Sequence, residues 1–209
     1  MVERQIRARG LRAPAVLEAM AAVPRHLFVD ESYIAQAYED HPLPIGHGQT
    51  ISQPYMVALL ADALGPGPTD RVLDIGTGSG YQCAVLGRMA PWVVSVELVA
   101  GLASSAASVL RRLGYANVAC IVGDGSTCTF LRTHFDCIGV AAAAAEIPAV
   151  YCDLLAEGGR LVLPVGSPGL QQLLRVRRLG GRFIEESLTS CVYVPLKGAG
   201  AGGRSDRFD

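Results

Sequence analysis

The sequence predicts an α/β fold built on a doubly wound, mostly parallel sheet, and three observations lead there. From residue 71 onward, short apolar runs alternate with segments of helical length and spacing. The first run ends in a glycine-rich loop, Gly76-Thr77-Gly78-Ser79-Gly80. Acidic residues, Asp74, Glu97 and Asp124, stand at the ends of three successive runs. A length of 209 residues, half of them hydrophobic and 18% charged, suits one domain with a full-sized core.

The elements follow in chain order. Residues 2–22 read as two short helices broken near Gly10, with Val16, Leu17, Met20 and Ala21 at helical spacing. Pro42, Pro44, Gly46 and Gly48 then punctuate a stretch of extended chain. A helix begins with Ser52 at or near its N-cap and Pro54 in its first turn, and runs through the apolar residues 56–64. Strands are expected at 71–75, 92–96, 118–122, 135–140 and 160–165. Helices at 81–89 and 99–113 join the first three strands. A short helix at 148–155, ended by Gly158 and Gly159, precedes the fifth. Residues 170–178 and 183–194 read as an antiparallel pair turned at Gly180 and Gly181. The domain is expected to span 1–197, and the Gly-rich stretch 198–209 to be a flexible tail.

Composition removes several function classes. Eighteen basic against 19 acidic residues leave no cationic excess for counterion release, so no nucleic-acid partner is expected. The longest clean apolar run, 140–145, is far short of the roughly 18 residues of a membrane span. The charged start lacks the apolar segment of a secretory signal, and a cytoplasmic, monomeric protein is expected. Six cysteines without a C-x-x-C pair read as reduced core thiols, and no metal site is expected. Motifs of the G-x-S-x-G, P-loop and H-E-x-x-H kinds do not occur.

In doubly wound sheets ligands bind beyond the carboxyl ends of the strands, where the loop and the three acids converge. Glycines let the backbone approach a ligand closely and open the next helix. Glu97, 17 residues after Gly80, is placed to grip ribose hydroxyls. Asp74 would repel a pyrophosphate but suits a cationic or zwitterionic ligand, and Asp124 is placed to meet an adenine. S-adenosyl-L-methionine, with a sulfonium, an ammonium and no phosphate, fits that pattern.

Beyond these residues the sequence resembles the protein-L-isoaspartate O-methyltransferase family. The resemblance runs through VERQ (2–5), VPRHLFV (23–29), YEDHPLPI (38–45), GQTISQPYM (48–56) and VLDIGTGSGY (72–81). It continues through GDG (123–125), AAEIP (144–148), GGRLV (158–162), QQ (171–172) and VPL (194–196). The 48–56 block is the most specific, since the glycine loop is shared by many methyltransferases. The resemblance implies a Rossmann-like core at 71–197, with residues 1–64 as a helical, substrate-binding segment. It also implies methylation of the free carboxylate of L-isoaspartyl, and also D-aspartyl, residues in damaged proteins and peptides. It makes Ser52 the catalytic hydroxyl, with acceptor binding by Thr50, Ile51, Ser52 and Tyr55. Cofactor binding then falls to Ile51, Gln53, Asp74, Gly76, Thr77, Gly78, Ser79, Gly80, Glu97, Asp124 and Gly125. The chain departs from the family pattern at Leu98, at Cys128 and Thr129, and along 141–145. Two other readings stay open from sequence: a methyltransferase tailoring aspartate in one biosynthetic peptide, and a cofactor-binding protein without turnover.

Overall fold

The structure is a computed structural model that describes residues 1–201. The chain enters through a π-helical turn (Val2–Ile6) and a 3₁₀ turn (Arg7–Arg9) that stops at Gly10. Helix α1 (Pro14–Ala22) follows. The stretch that reads as punctuated extended chain is more structured than its sequence suggests. It holds a hairpin of β1 (Leu43–Gly46) and β2 (Gln49–Ile51), and two 3₁₀ turns, Arg25–Phe28 and Glu31–Gln36, precede it. Arg25 pins these turns: it is fully buried, its Nε donates to the Ala37 carbonyl at 2.8 Å, and its guanidinium lies 4.8 Å from the centre of the Tyr81 ring.

Helix α2 spans Pro54–Leu64, with Gln53 at its N-cap and no side chain capping it. The cap expected of Ser52 is not made. Pro54 has no N–H to satisfy, and the Tyr55 N–H donates to the Asp40 carboxylate at 3.3 Å. A residue distant in sequence thus serves the helix end and leaves the Ser52 hydroxyl out of it.

The core alternates as expected: β3 (Arg71–Ile75), α3 (Tyr81–Met89), β4 (Trp92–Glu97), α4 (Ala100–Arg112), β5 (Val118–Val122) and β6 (Phe135–Val140). Then come α5 (Ala149–Leu154), β7 (Leu155–Ser167), β8 (Leu170–Leu179) and β9 (Arg182–Cys191). Seven strands pair in the order β5-β4-β3-β6-β7-β8-β9, parallel from β5 to β7 and antiparallel thereafter. Gly158 and Gly159 do not end a helix, because α5 has already stopped at Leu154. They sit in a bulge of β7, where the pairing jumps from Phe135↔Leu155 to Cys137↔Arg160. A side chain at 159 would lie 3.1 Å from the Asp136 carbonyl.

Period-two alternation divides the core between the two sheet faces. Val72, Val93, Cys137, Val162 and Leu173 face α1, α2 and α3. Leu73, Ile75, Val94, Ile138 and Leu161 face the opposite side, covered by α5 through Tyr151 and Cys152 and by Cys128 and Leu131 of the β5–β6 connection. Each such fully buried aliphatic side chain contributes about 1.5–3 kcal/mol. Helix α2 rides close to the sheet because Gly139 of β6 has no side chain. A Cβ there would meet Leu60 and Leu64 at 3.1 Å.

After β9 the chain returns across the strand ends. Ala143 N–H donates to the Val194 carbonyl at 2.8 Å, and Leu196 N–H to the Ala143 carbonyl at 2.7 Å. Of the tail expected from 198, residues 198–201 are described. Ala199 N–H donates to Asp124 Oδ2 at 2.8 Å and Gly200 N–H to Ser126 Oγ at 2.9 Å. Residues 202–209 lie outside the described ones.

Candidate active site

The strand order reverses between β3 and β6, and a cleft opens beyond their carboxyl ends, as the topology requires. It encloses about 790 Å³, part of it open to solvent. Its walls are Gly76–Ser79 after β3, Glu97 to Val99 after β4, Gly125, Ala141 and Ala142 after β6, Gln49 to Ser52, and residues 194–197.

The loop's alternating glycines have a backbone cause. Gly76, Gly78 and Gly80 take φ of 89°, 53° and 91°, a region L side chains enter at a cost of about 1–2 kcal/mol. Several of its polar groups are engaged. Gly76 N–H donates to the Val96 carbonyl at 2.9 Å, Gly80 N–H to the Thr77 carbonyl at 2.8 Å, and Thr77 Oγ1 pairs with Ser95 Oγ at 2.6 Å. Glu97, nearly buried, receives Gly78 N–H on Oε2 and Val99 N–H on Oε1, each at 2.9 Å. These two bonds use half of its four acceptor sites, and the residue lines the cleft.

Beneath the loop sits Asp74. It is fully buried and does not line the cleft. Its carboxylate receives Ser95 Oγ at 2.6 Å and Gln82 Nε2 at 2.8 Å. Burial, with the nearby charge of Glu97 adding to it, pushes its pKa up to about 6 against the pull of those two hydrogen bonds. Asp74 is therefore joined to the cleft wall through Gln82, which does line it. Gln82 Oε1 is buried without a partner, an acceptor that an ammonium donor would satisfy.

Other expected site residues fall differently. Ile51, Thr77, Ser79 and Gly125 reach the cleft. Gly80 is a spacer instead: a Cβ on it would meet Ala106 at 3.1 Å. Asp124 stays off the cleft wall because Ser126 and Ala199 occupy its carboxylate and hold its pKa down against burial. Gln53 and Tyr55 line a second, wider groove together with Arg9, Met56, Leu170, Gln171 and residues 189–194. There Arg9 stacks 3.4 Å over the Tyr55 ring and pairs with Asp40 at 3.1 Å. Thr50, Ser52, Ala141 and Val194 belong to both cavities.

Sequence reasoning missed Gln82, Ala142 and the returning segment 194–197, whose Lys197 is the chain's only lysine. A polar residue on the apolar face of a helix is the one signal that marks Gln82. Leu98, a departure from the family pattern, lines the cleft, whereas Cys128 is buried off it, its Sγ on the Gly125 carbonyl at 3.0 Å.

The family model for protein-L-isoaspartate(D-aspartate) O-methyltransferase matches residues 1–201. The chain belongs to that family. A protein-L-isoaspartate O-methyltransferase of Syntrophus aciditrophicus is 51% identical over 201 residues, covering 95% of this chain and 92% of its own. One from Methanoregula boonei is 49% identical over 198 residues, covering 95% and 91%. Among solved structures, a protein-L-isoaspartate O-methyltransferase of Plasmodium falciparum in complex with S-adenosyl-L-homocysteine superposes with a TM-score of 0.81. It is 29% identical and covers 94% of this chain and 96% of that one. The methyltransferase thus has the Rossmann-like fold expected of it, and no helix among its described residues is long and apolar enough to cross a membrane.

Proposed function

We propose that this protein transfers a methyl group from S-adenosyl-L-methionine to the free carboxylate of L-isoaspartyl residues in damaged proteins and peptides, with D-aspartyl residues as a second acceptor. Ser52 is the residue that touches the acceptor. The observation that carries the assignment is the shared wall: Thr50 and Ser52 stand where the loop-lined cleft meets the wider groove. A donor in one and a peptide in the other would meet at these hydroxyls.

The residues of the cleft suit a cationic, phosphate-free adenosyl ligand. Glu97 offers acceptors for ribose hydroxyls, Gln82 Oε1 an unfilled one for an ammonium, and Asp74 a negative charge beneath the floor. Glycine at 78 leaves room at the wall, where a side chain would stand 3.3 Å from Ile45. Bound S-adenosyl-L-methionine supplies a methyl group on a positively charged sulfur.

The protein's own work is alignment. A carboxylate with a pKa near 4 is ionised at neutral pH and needs no general base. Transfer removes one positive and one negative charge, so a strong cation on the acceptor would stabilise the ground state more than the transition state. The neutral hydroxyls of Thr50 and Ser52 orient the acceptor without that penalty. The groove's cation, Arg9, is already engaged by Asp40 and Tyr55. A hydrogen bond to a charged group contributes about 1.5–3 kcal/mol, and in-line placement up to roughly 7–11 kcal/mol.

Base-labile methyl ester formation on an isoaspartyl peptide, with the aspartyl isomer as control, tests the assignment. Ser52→Ala should lower turnover about 10- to 150-fold and leave S-adenosyl-L-homocysteine affinity and melting temperature unchanged. Unchanged turnover in that variant removes Ser52 from the site.

A further inference from the structure

Two thiols meet where α3 crosses β5, an edge strand of the sheet. The crossing is close because Gly87 has no side chain: a Cβ there would lie 2.6 Å from Val118 Cγ2. Cys83 stands one helical turn before Gly87 on the same helix face. Cys120 stands two residues beyond Val118 on the same strand face. The spacing that brings glycine onto valine therefore brings Cys83 onto Cys120, and the two side chains are neighbours across the crossing. Cys83 is fully buried, and Cys120 is partly open to solvent.

The pair adjoins the loop from below. Cys83 Sγ donates to the Gly80 carbonyl at 3.2 Å and contacts Ser95, the hydroxyl that ties Thr77 to Asp74. Ser95 is also the register partner of Cys120. We propose that Cys83 and Cys120 form an oxidative modification site, a dithiol that a hydroperoxide converts to a disulfide, weakening the loop's hold on its ligand.

Cys120 is the entry point. It is the thiol of the pair that solvent reaches, whereas Cys83 is fully buried and its pKa is pushed up. Burial pushes Cys191 up to about 11 and both Cys128 and Cys137 up to about 12, so each is mostly thiol and unreactive. The Cys120 thiolate attacks one peroxide oxygen, the O–O bond breaks, and the departing hydroxide takes a proton as water, leaving a sulfenic acid. The Cys83 sulfur then attacks the Cys120 sulfur. The S–S bond forms, the S–O bond breaks, and the hydroxide leaves with the Cys83 proton as a second water. Two electrons and two hydrogens pass to the peroxide. A disulfide of about 2.05 Å is shorter than any non-bonded sulfur contact, so it draws the first turn of α3 toward β5 and removes the S–H that Cys83 gives Gly80.

The linkage stands on the thiol geometry; its effect on binding rests on the loop holding the adenosyl ligand, as proposed above. The full-length protein is exposed to a few equivalents of hydrogen peroxide, blocked with N-ethylmaleimide and mapped by mass spectrometry. Calorimetry with S-adenosyl-L-homocysteine accompanies each state. The expected result is a Cys83–Cys120 cross-linked peptide pair, in the wild type and in Cys191→Ser alike. Affinity for S-adenosyl-L-homocysteine falls about fivefold or more and returns with dithiothreitol. Cys120→Ser shows neither change. A missing cross-link, or Cys120 oxidised to the sulfinic acid with Cys83 unreacted, overturns the site. A complete cross-link with unchanged affinity overturns its coupling to the loop. If the reduced protein fails to bind S-adenosyl-L-homocysteine at all, the loop assignment falls and the mapped linkage still decides the thiol pair.

Discussion

The two walls that meet at Ser52 are built in opposite ways. On the donor side, from β3 to β4, the groups that shape the loop are hydrogen-bonded and buried: Gly78 and Val99 on Glu97, Thr77 on Ser95, Ser95 and Gln82 on Asp74. On the acceptor side Thr50 is exposed, Ser52 half-buried, and the end of α2 is served by Asp40 rather than by the hydroxyl beside it. One wall is pre-organised before a ligand arrives. The other keeps its donors uncommitted, which suits an acceptor that differs from one damaged protein to the next.

Substitutions on the two walls should separate accordingly. Glu97→Ala removes the partner of two backbone donors, at about 1.5–3 kcal/mol each. It should weaken S-adenosyl-L-homocysteine binding by a hundredfold or more (about 3–6 kcal/mol) in calorimetry; a change confined to peptide KM would break the division. Asp74 makes the donor wall sensitive to pH. Its folded carboxyl, near 6 against an ordinary 3.8, holds a proton more tightly than the unfolded chain does. That stabilisation is complete below pH 4 and lost as pH rises through 6, on the order of 3 kcal/mol. Urea denaturation across pH 4–7 should show this fall in the wild type and not in Asp74→Asn; parallel curves refute it. Gly78→Ala forces a side chain into φ 53° beside Ile45. It should raise the S-adenosyl-L-homocysteine Kd about tenfold (roughly 1–2 kcal/mol). Gly139→Ala, whose Cβ would meet Leu60 and Leu64 of α2 at 3.1 Å and Gln82 Nε2 only at 3.8 Å, should shift peptide KM by about two- to threefold (roughly 0.4–0.7 kcal/mol) and cofactor affinity by less. An equal loss of both would merge the two walls into one unit.

What the sequence reveals follows the same division. The glycine loop, Glu97 and Gly125 are legible because strand ends in a doubly wound sheet converge wherever the alternation places them, and local spacing is enough to find them. Asp74 is legible as a strand-end acid but not in its depth, because burial is decided by Ser95 and Gln82, which reach it from a neighbouring strand and a helix. Asp124 reads as a ligand group until the backbone of Ala199 takes its carboxylate, an encounter across 75 residues that no local pattern encodes. Ser52 also reads as a cap, and only the distant Asp40 shows that the helix does not need it. The hairpin and the two 3₁₀ turns escaped notice because each is too short to carry a period.

Residues 194–197 wall the cleft from the far end of the chain, tied by main-chain hydrogen bonds to Ala143. The pocket is therefore complete only while all the strands from β3 to β9 are in register, and no fragment of the sheet contains it. Occupancy should then be linked to openings larger than the loop itself: a bound nucleoside ligand is expected to slow hydrogen exchange in β8 and β9 as well as in the glycine loop.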